Sequence, residues 1–176
     1  MNTPIQKRNV ARTGWGLKPI FANIPTDLHS LRWGCWVAEQ KTEGKVAKAP
    51  RHPDGGWLLS TNKPERWPTF DECRAGYLSG LFDGVGLLLE ADIGIVGIDI
   101  DDATNTLKRH PEVLAQLRLI SATGGYIERS PSGNGLRIFV LGNLPLNAGK
   151  KSDGLEIYSD RRFLTVTGHG KGMEHE

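Results

Sequence analysis

The stretch Val96-Gly97-Ile98-Asp99-Ile100-Asp101-Asp102 constrains this chain more than any other. Side chains alternate across a strand, so Val96, Ile98 and Ile100 share one face while Gly97, Asp99 and Asp101 share the other. The first face is suited to burial. The second ends in two acids that repel each other unless something positive lies between them. An unpaired charge at the end of an otherwise apolar, central strand is expensive. Hard oxygen ligands on a rigid strand suit Mg²⁺ or Mn²⁺. Taken alone, the same pattern also fits a strand end running into an acidic loop capped by Asp102.

The rest of the chain supplies more strands than helices. Arg32 to Ala38 reads as a first strand, Lys45 to Ala49 as a short extended piece, and Pro50 and Pro53 exclude regular structure from Arg51 to Gly56. Thr69-Phe70-Asp71-Glu72 has the form of a capping box and opens a helix that runs to about Ser79, with Gly80 as its stop. Gly84 to Leu89 is an apolar strand, Ile95 to Asp101 returns as another, and Glu112 to Leu119 forms a helix introduced by Pro111. Strands follow at Gly125–Arg129, Leu136–Leu141, Leu155–Tyr158 and Phe163–Thr167. Hairpin turns are as frequent as crossovers, which predicts α+β architecture rather than a doubly wound parallel sheet.

At 176 residues the chain fits one domain, residues 31–176, preceded by an irregular arm, residues 1–30. Charged residues make up 24% and apolar ones 38%, which excludes a disordered chain. The N-terminus lacks the apolar run of a signal peptide and no stretch is long enough to span a bilayer, so a cytoplasmic protein without membrane contact is expected. The two cysteines, Cys35 and Cys73, form neither a metal motif nor a disulfide framework, and the five histidines are scattered, so no zinc is expected. The arm holds Lys7, Arg8 and Arg12 with no acid in its first twenty residues. Such an arm suits the backbone of a nucleic acid, as it also suits a solvated terminus.

Two further constellations carry chemistry. Glu156 lies on a strand between the apolar Leu155 and Ile157 and shares a face with Tyr158, which fits a third acid of the same kind and, taken alone, fits an ordinary solvent-facing strand residue better. Ser130-Pro131-Ser132-Gly133-Asn134-Gly135 is a turn whose hydroxyls and backbone N–H groups can converge on an anion. Arg137 follows on the strand, opposite in face to Leu136 and Ile138, and a guanidinium there matches a phosphate with two parallel hydrogen bonds. By spacing alone the turn is equally an ordinary hairpin. Together, acids that collect divalent cations and a turn that collects phosphate make the two halves of a nucleoside triphosphate site.

Gly97 to Asp102, then Ser130 to Phe139, then Glu156-Ile157-Tyr158 and Phe163-Leu164-Thr165-Val166-Thr167-Gly168 resemble the archaeo-eukaryotic primase superfamily. More narrowly they are similar to primase-polymerase domains of phages, plasmids and other mobile elements. Trp36-Val37, Lys48-Ala49-Pro50 and Ser60-Thr61-Asn62 extend the resemblance, which covers roughly residues 31–169. It implies an RRM-like catalytic sheet packed with a smaller N-terminal α/β lobe, with the active site in the cleft between them. It implies that Asp99 and Asp101 form the first metal-binding motif and Glu156 the third, holding two Mg²⁺ or Mn²⁺ ions. Ser130, Ser132 and Gly133 fall in the motif that holds the incoming triphosphate. Many members carry histidine where this chain has Arg137. Arginine keeps the phosphate grip and does not readily act as an acid.

The implied activity is template-dependent nucleotidyl transfer from a dNTP or NTP to a primer 3′-hydroxyl or a first nucleotide. Its partners are single-stranded or primed DNA and a helicase domain or subunit of the same replication system. Lys48, Arg161 and Arg162 are further candidates for the triphosphate, and Arg51 for the template. Of Trp33, Trp36, Trp57 and Trp67, any of which can stack a base, at least three are expected in the core. Two other readings stay open: a non-catalytic initiator or nucleotide-binding module, and a metal-dependent nuclease, which also clusters acids on strands.

Overall fold

The computed structural model describes residues 11–145 and 150–170. Lys7 and Arg8 lie outside them. The architecture is α+β, with two principal antiparallel sheets and three α-helices among the described residues.

The first sheet has four strands: β1 (Trp33–Trp36), β4 (Pro50–Arg51), β5 (Gly84–Leu89) and β11 (Arg162–Val166), in the order β11-β5-β1-β4. A two-stranded ribbon, β2 (Glu39–Gln40) with β3 (Val46–Ala47), stands beside it. Strand β4 corrects the expectation of an irregular Arg51–Gly56 stretch at its first residue. Pro50 enters the sheet because β4 is an edge strand, where the missing N–H breaks no ladder. Helix α1 (Phe70–Leu78) has the expected capping box, with the Glu72 carboxylate accepting from Thr69 N at 2.7 Å. Its Phe70, Cys73 and Tyr77 pack on Trp33, Cys35, Val85, Leu87 and Leu89 of the sheet. Leu88 points the other way, into a smaller cluster with Leu59 and Trp67. Strand β5 is therefore buried on both faces, which explains its continuous apolar sequence.

The second sheet has five strands: β6 (Ile95–Ile100), β7 (Tyr126–Arg129), β8 (Leu136–Leu141), β9 (Lys150–Ser152) and β10 (Leu155–Tyr158), in the order β7-β8-β6-β10-β9. Helices α2 (Ala103–Arg109) and α3 (Pro111–Ala122) cover one face. Ile98, Ile100, Ile127, Leu136, Ile138 and Val140 meet Leu107, Val113, Leu117 and Ile120 there. The apolar row read from β6 is thus the helix-facing row. On the other face, Tyr126, Phe139 and Tyr158 pack with Leu89, Leu164 and Val166 of the first sheet.

Gly97 is what lets the sheets meet. A Cβ at this position would lie 2.3 Å from Leu164 Cδ1 and 2.7 Å from Leu89 Cδ1. The glycine leaves a gap in the face of β6 that the leucines fill, and Asp99 stands one pleat beyond it.

Residues 11–30 are irregular, as expected, apart from 3-10 turns at Phe21–Asn23 and Thr26–Leu28. Among the described residues, no helix is long and apolar enough to cross a membrane.

Candidate functional site

Strand register sets the site. Glu128 on β7, Arg137 on β8, Asp99 on β6, Glu156 on β10 and Lys151 on β9 are successive cross-strand partners. They form one charged row across all five strands, on the face opposite the helices. The row is withdrawn from solvent except at its Lys151 end: Glu128 is 0% exposed, Glu156 4%, and Asp99 and Arg137 7% each. Burying so many charges is costly unless they compensate one another, and here they do.

Arg137 Nη1 forms an ion pair with Asp99 Oδ1, held by proximity rather than by an aligned hydrogen bond. The buried Nε of Arg137 has no partner among the described residues, so the guanidinium keeps donors to spare. Burial lowers the Arg137 pKa to about 10, the Glu156 charge opposing and the Arg162 charge assisting, and the side chain stays cationic at neutral pH. Glu156 Oε1 pairs with Lys151. Its Oε2 accepts from Tyr158 OH at 2.7 Å and from Arg162 Nη2 at 2.9 Å. Burial pushes the Glu156 carboxyl up, but hydrogen bonds from Lys151 and Tyr158 and the charges of Lys151 and Arg162 bring it below the usual carboxylate range. Arg162 also lies over the Tyr158 ring, 4.2 Å from its centroid.

Asp101 is exposed just past the end of β6. Its N–H donates to Gly154 O at 2.8 Å, and its carbonyl accepts from Thr106 Oγ1 at 2.7 Å, so its backbone is fixed while its carboxylate faces solvent. Asp102 then adopts φ 43° and starts α2, a helix the sequence reading did not anticipate.

The Ser130–Gly135 turn lies against this strand end. Ser130 N donates to Gly135 O and Gly133 N to Ser130 O, both at 2.8 Å. Ser130 Oγ accepts from Gly135 N at 3.1 Å and contacts Ser132 Oγ at 3.1 Å. Ala103 N donates to Asn134 O at 2.8 Å, tying the turn to the first residue of α2. The turn, the Asp101 carboxylate and Arg137 therefore share one end of the sheet.

Lys48 arrives from the first sheet, between β3 and β4. Its ammonium donates to Val46 O at 3.1 Å and lies 5.3 Å from the centroid of the Trp15 ring. Burial and then the Arg137 charge lower its pKa, while Asp101 raises it.

The remaining candidates do not join the row. Arg51 turns inward, with Nη2 on Glu39 Oε1 at 2.5 Å and Nη1 on Gly56 O at 2.8 Å, and so braces its own loop. Arg12 donates to Tyr77 OH at 2.6 Å. Arg161 is exposed and paired with its neighbour Asp160 at 3.0 Å. Trp33, Trp36 and Trp67 are buried in the core, and Trp57 stacks on His52 at 4.6 Å. Cys35 and Cys73 are buried free thiols.

Sequence reasoning missed Glu128, Lys151 and Trp15. A signal for Lys151 was present: Asp153-Gly154 is a hairpin turn, and pairing outward from it sets Lys151 opposite Glu156. Glu128 had none, because an acid between Ile127 and Arg129 reads as a wet strand residue until the register is known.

The donor set suits a hard divalent cation in chemistry: oxygen-only, with Asp99 and Glu156 direct partners, although Asp101 lies in the turn past β6 and not, as its alternation predicted, on the strand face with Asp99. Among the described residues, however, no three acids, histidines or cysteines converge as a metal-binding group. Arg137, Lys151 and Arg162 lie on the two buried carboxylates instead.

No family model matches the chain. It is 34% identical over 142 residues to a protein described as "DNA Primase-polymerase" from Nitratiruptor phage NrS-1, a match covering 78% of this chain and 19% of that protein. The chain thus spans about one fifth of the length of the curated relative it matches. This similarity over 78% of its length places the chain among the phage-type primase-polymerase domains.

Proposed function

We propose that this domain carries out template-dependent DNA synthesis by two-metal nucleotidyl transfer. The observation that carries the reading is the in-register row Arg137–Asp99–Glu156. The five-stranded sheet with its two helices corresponds to the RRM-like half of the expected architecture. The four-stranded sheet corresponds to the smaller lobe, with the site in the cleft between them.

Asp99, Asp101 and Glu156 are the ligands assigned to Mg²⁺ or Mn²⁺. When bound, such ions neutralise triphosphate charge and stabilise the attacking and leaving oxygens. The chain's own groups do the rest. Arg137 and Lys48, two cations, suit the incoming triphosphate. Ser130, Ser132 and Gly133 present the turn beside it. Arg162 and Lys151 counter the Glu156 charge before a metal arrives. A primer 3′-hydroxyl attacks the α-phosphate, and pyrophosphate leaves. Arg137, charged throughout the neutral range, grips phosphate and does not serve as the acid for the leaving group. Single-stranded or primed DNA is the template in this reading, and a helicase domain or subunit the partner.

Primer extension with the wild type and with Asp99→Ala/Asp101→Ala tests it. Loss of extension by at least about a hundredfold in the variant is expected for removal of metal-holding acids. Equal activity in the two proteins contradicts the proposal.

One observation favours a second reading, a non-catalytic nucleotide- or DNA-binding module: both buried acids already carry organic cations. Binding of DNA or dNTP that persists in EDTA, with no synthesis under any metal, would support it.

A further inference from the structure

The two halves of the proposed triphosphate site stand on different sheets. Lys48 lies on the link that leads from β3 into β4 of the four-stranded one, and the Ser130–Gly135 turn with Arg137 belongs to the five-stranded one. The segment from Arg12 to Ile20 spans them. At one end Thr13 N, Thr13 Oγ1 and Gly14 N donate to the buried Asp83 carboxylate at 2.9, 2.8 and 2.6 Å, and Asp83 also accepts from Ala38 N at 2.8 Å. At the other end Ile20 N donates to Thr167 O at 2.8 Å and His169 Nε2 contacts Lys18 O at 2.8 Å, just past β11, so both anchors flank strands of the four-stranded sheet. The basic arm is thus anchored from Thr13 onward, while its Lys7 and Arg8 lie outside the described residues.

Between its anchors the segment touches both halves of the site. Trp15 sets its ring edge-on to the buried Trp36, centroids 6.2 Å apart, and offers its face to the Lys48 ammonium at 5.3 Å. Leu17 N donates to Pro131 O, inside the turn, at 2.8 Å. Gly16 has φ +85° and brings its backbone so close that a Cβ would lie 2.9 Å from Pro131 O. A lysine ammonium gains hydration by swinging out to water on its flexible stem. Among the described residues, the Lys48 ammonium is held by Val46 O and the π face of Trp15.

We infer that Trp15 is a positioning residue for triphosphate binding: carried on a strap tied to both sheets, it holds the Lys48 ammonium opposite the Ser130–Gly135 turn and Arg137. The inference rests on the triphosphate role proposed above for Lys48.

The test is calorimetric titration of dATP, with Mn²⁺ present, into the full chain and four variants: Trp15→Leu, Trp15→Phe, Lys48→Met and Trp15→Leu/Lys48→Met. Trp15→Leu is expected to weaken binding about three- to tenfold, the size of a partly desolvated cation–π contact. Trp15→Phe, which keeps a π face, retains most of the affinity. The double variant binds no more weakly than Lys48→Met alone, because Trp15 acts through Lys48. Losses that multiply in the double variant overturn the inference, since a merely structural tryptophan weakens binding whether or not the lysine is present. Wild-type affinity in Trp15→Leu alongside a loss in Lys48→Met overturns the inference alone. Wild-type affinity in Lys48→Met overturns the triphosphate role of Lys48 and the inference with it.

Discussion

Each buried charge in the row has a partner, and the partners differ in how firmly they are held. Arg137 is buried with Asp99, whereas the Lys151 side chain is 72% exposed although its ammonium rests on buried Glu156. An exposed lysine is the cation most easily replaced by a metal. Lys151→Met should therefore bind Mn²⁺ more tightly, by roughly two- to fivefold given its exposure, as measured by calorimetry without nucleotide. Weaker binding would contradict competition at Glu156. Glu128, at the other end, accepts from Thr167 N and Gly168 N at 2.8 Å each and from Tyr126 OH at 2.9 Å. Burial still raises its pKa to about 7, against these hydrogen bonds. With the folded pKa above the unfolded one, the folded state holds the proton through the window from about pH 4.5 to 7, so this group's contribution makes stability fall as pH rises there. Glu128→Gln should flatten that slope, by up to about 3 kcal/mol across the window, in urea denaturation followed from pH 5 to 8. An unchanged slope would place the Glu128 titration elsewhere.

At the scale of elements, legibility followed from whether local pattern or tertiary contact decides the structure. The capping box at Thr69, the apolar run of β5 and the alternation of β6 depend on neighbours in sequence, and all three were readable. Helix α2 was not, because Ala-Thr-Asn-Thr has weak helical preference and no side-chain cap. It forms where Ala103 N meets Asn134 O and Leu107 meets the sheet core. Strand β9 was missed for a related reason: three polar residues form a strand only as the edge partner of β10. The meeting of the two sheets is likewise tertiary, and Gly97 is its most exacting position. Gly97→Ala should cost about 1–3 kcal/mol in denaturant unfolding through overpacking against Leu164 and Leu89. In a Leu164→Ala background the same change should cost less, because the space is already vacated. Equal costs in both backgrounds would mean that Leu164 does not fill the Gly97 gap.

For the molecule as a whole, the sequence named three acids and a phosphate turn in order, and the fold assembles Asp99, Glu156 and Arg137 as strand neighbours. Which cation faces which acid was not legible, because pairing across strands depends on register and on the approach of a second sheet. Lys48 was chosen from its motif alone, and in the structure its ammonium meets Val46 O and the face of Trp15, a residue with no sequence signal. Arg51, chosen on similar grounds, braces its own loop. The central claim is that the charged row is a nucleotidyl-transfer centre in which metals replace organic cations on the acids. A crystal soaked with Mn²⁺ and a non-hydrolysable deoxynucleoside triphosphate tests it most directly through anomalous scattering. Manganese between Asp99, Asp101 and Glu156, with the triphosphate against Arg137, Lys48 and the Ser130–Gly135 turn, is the predicted result. A triphosphate bound with no manganese at these acids, and with Lys151 and Arg162 still seated on Glu156, would contradict it.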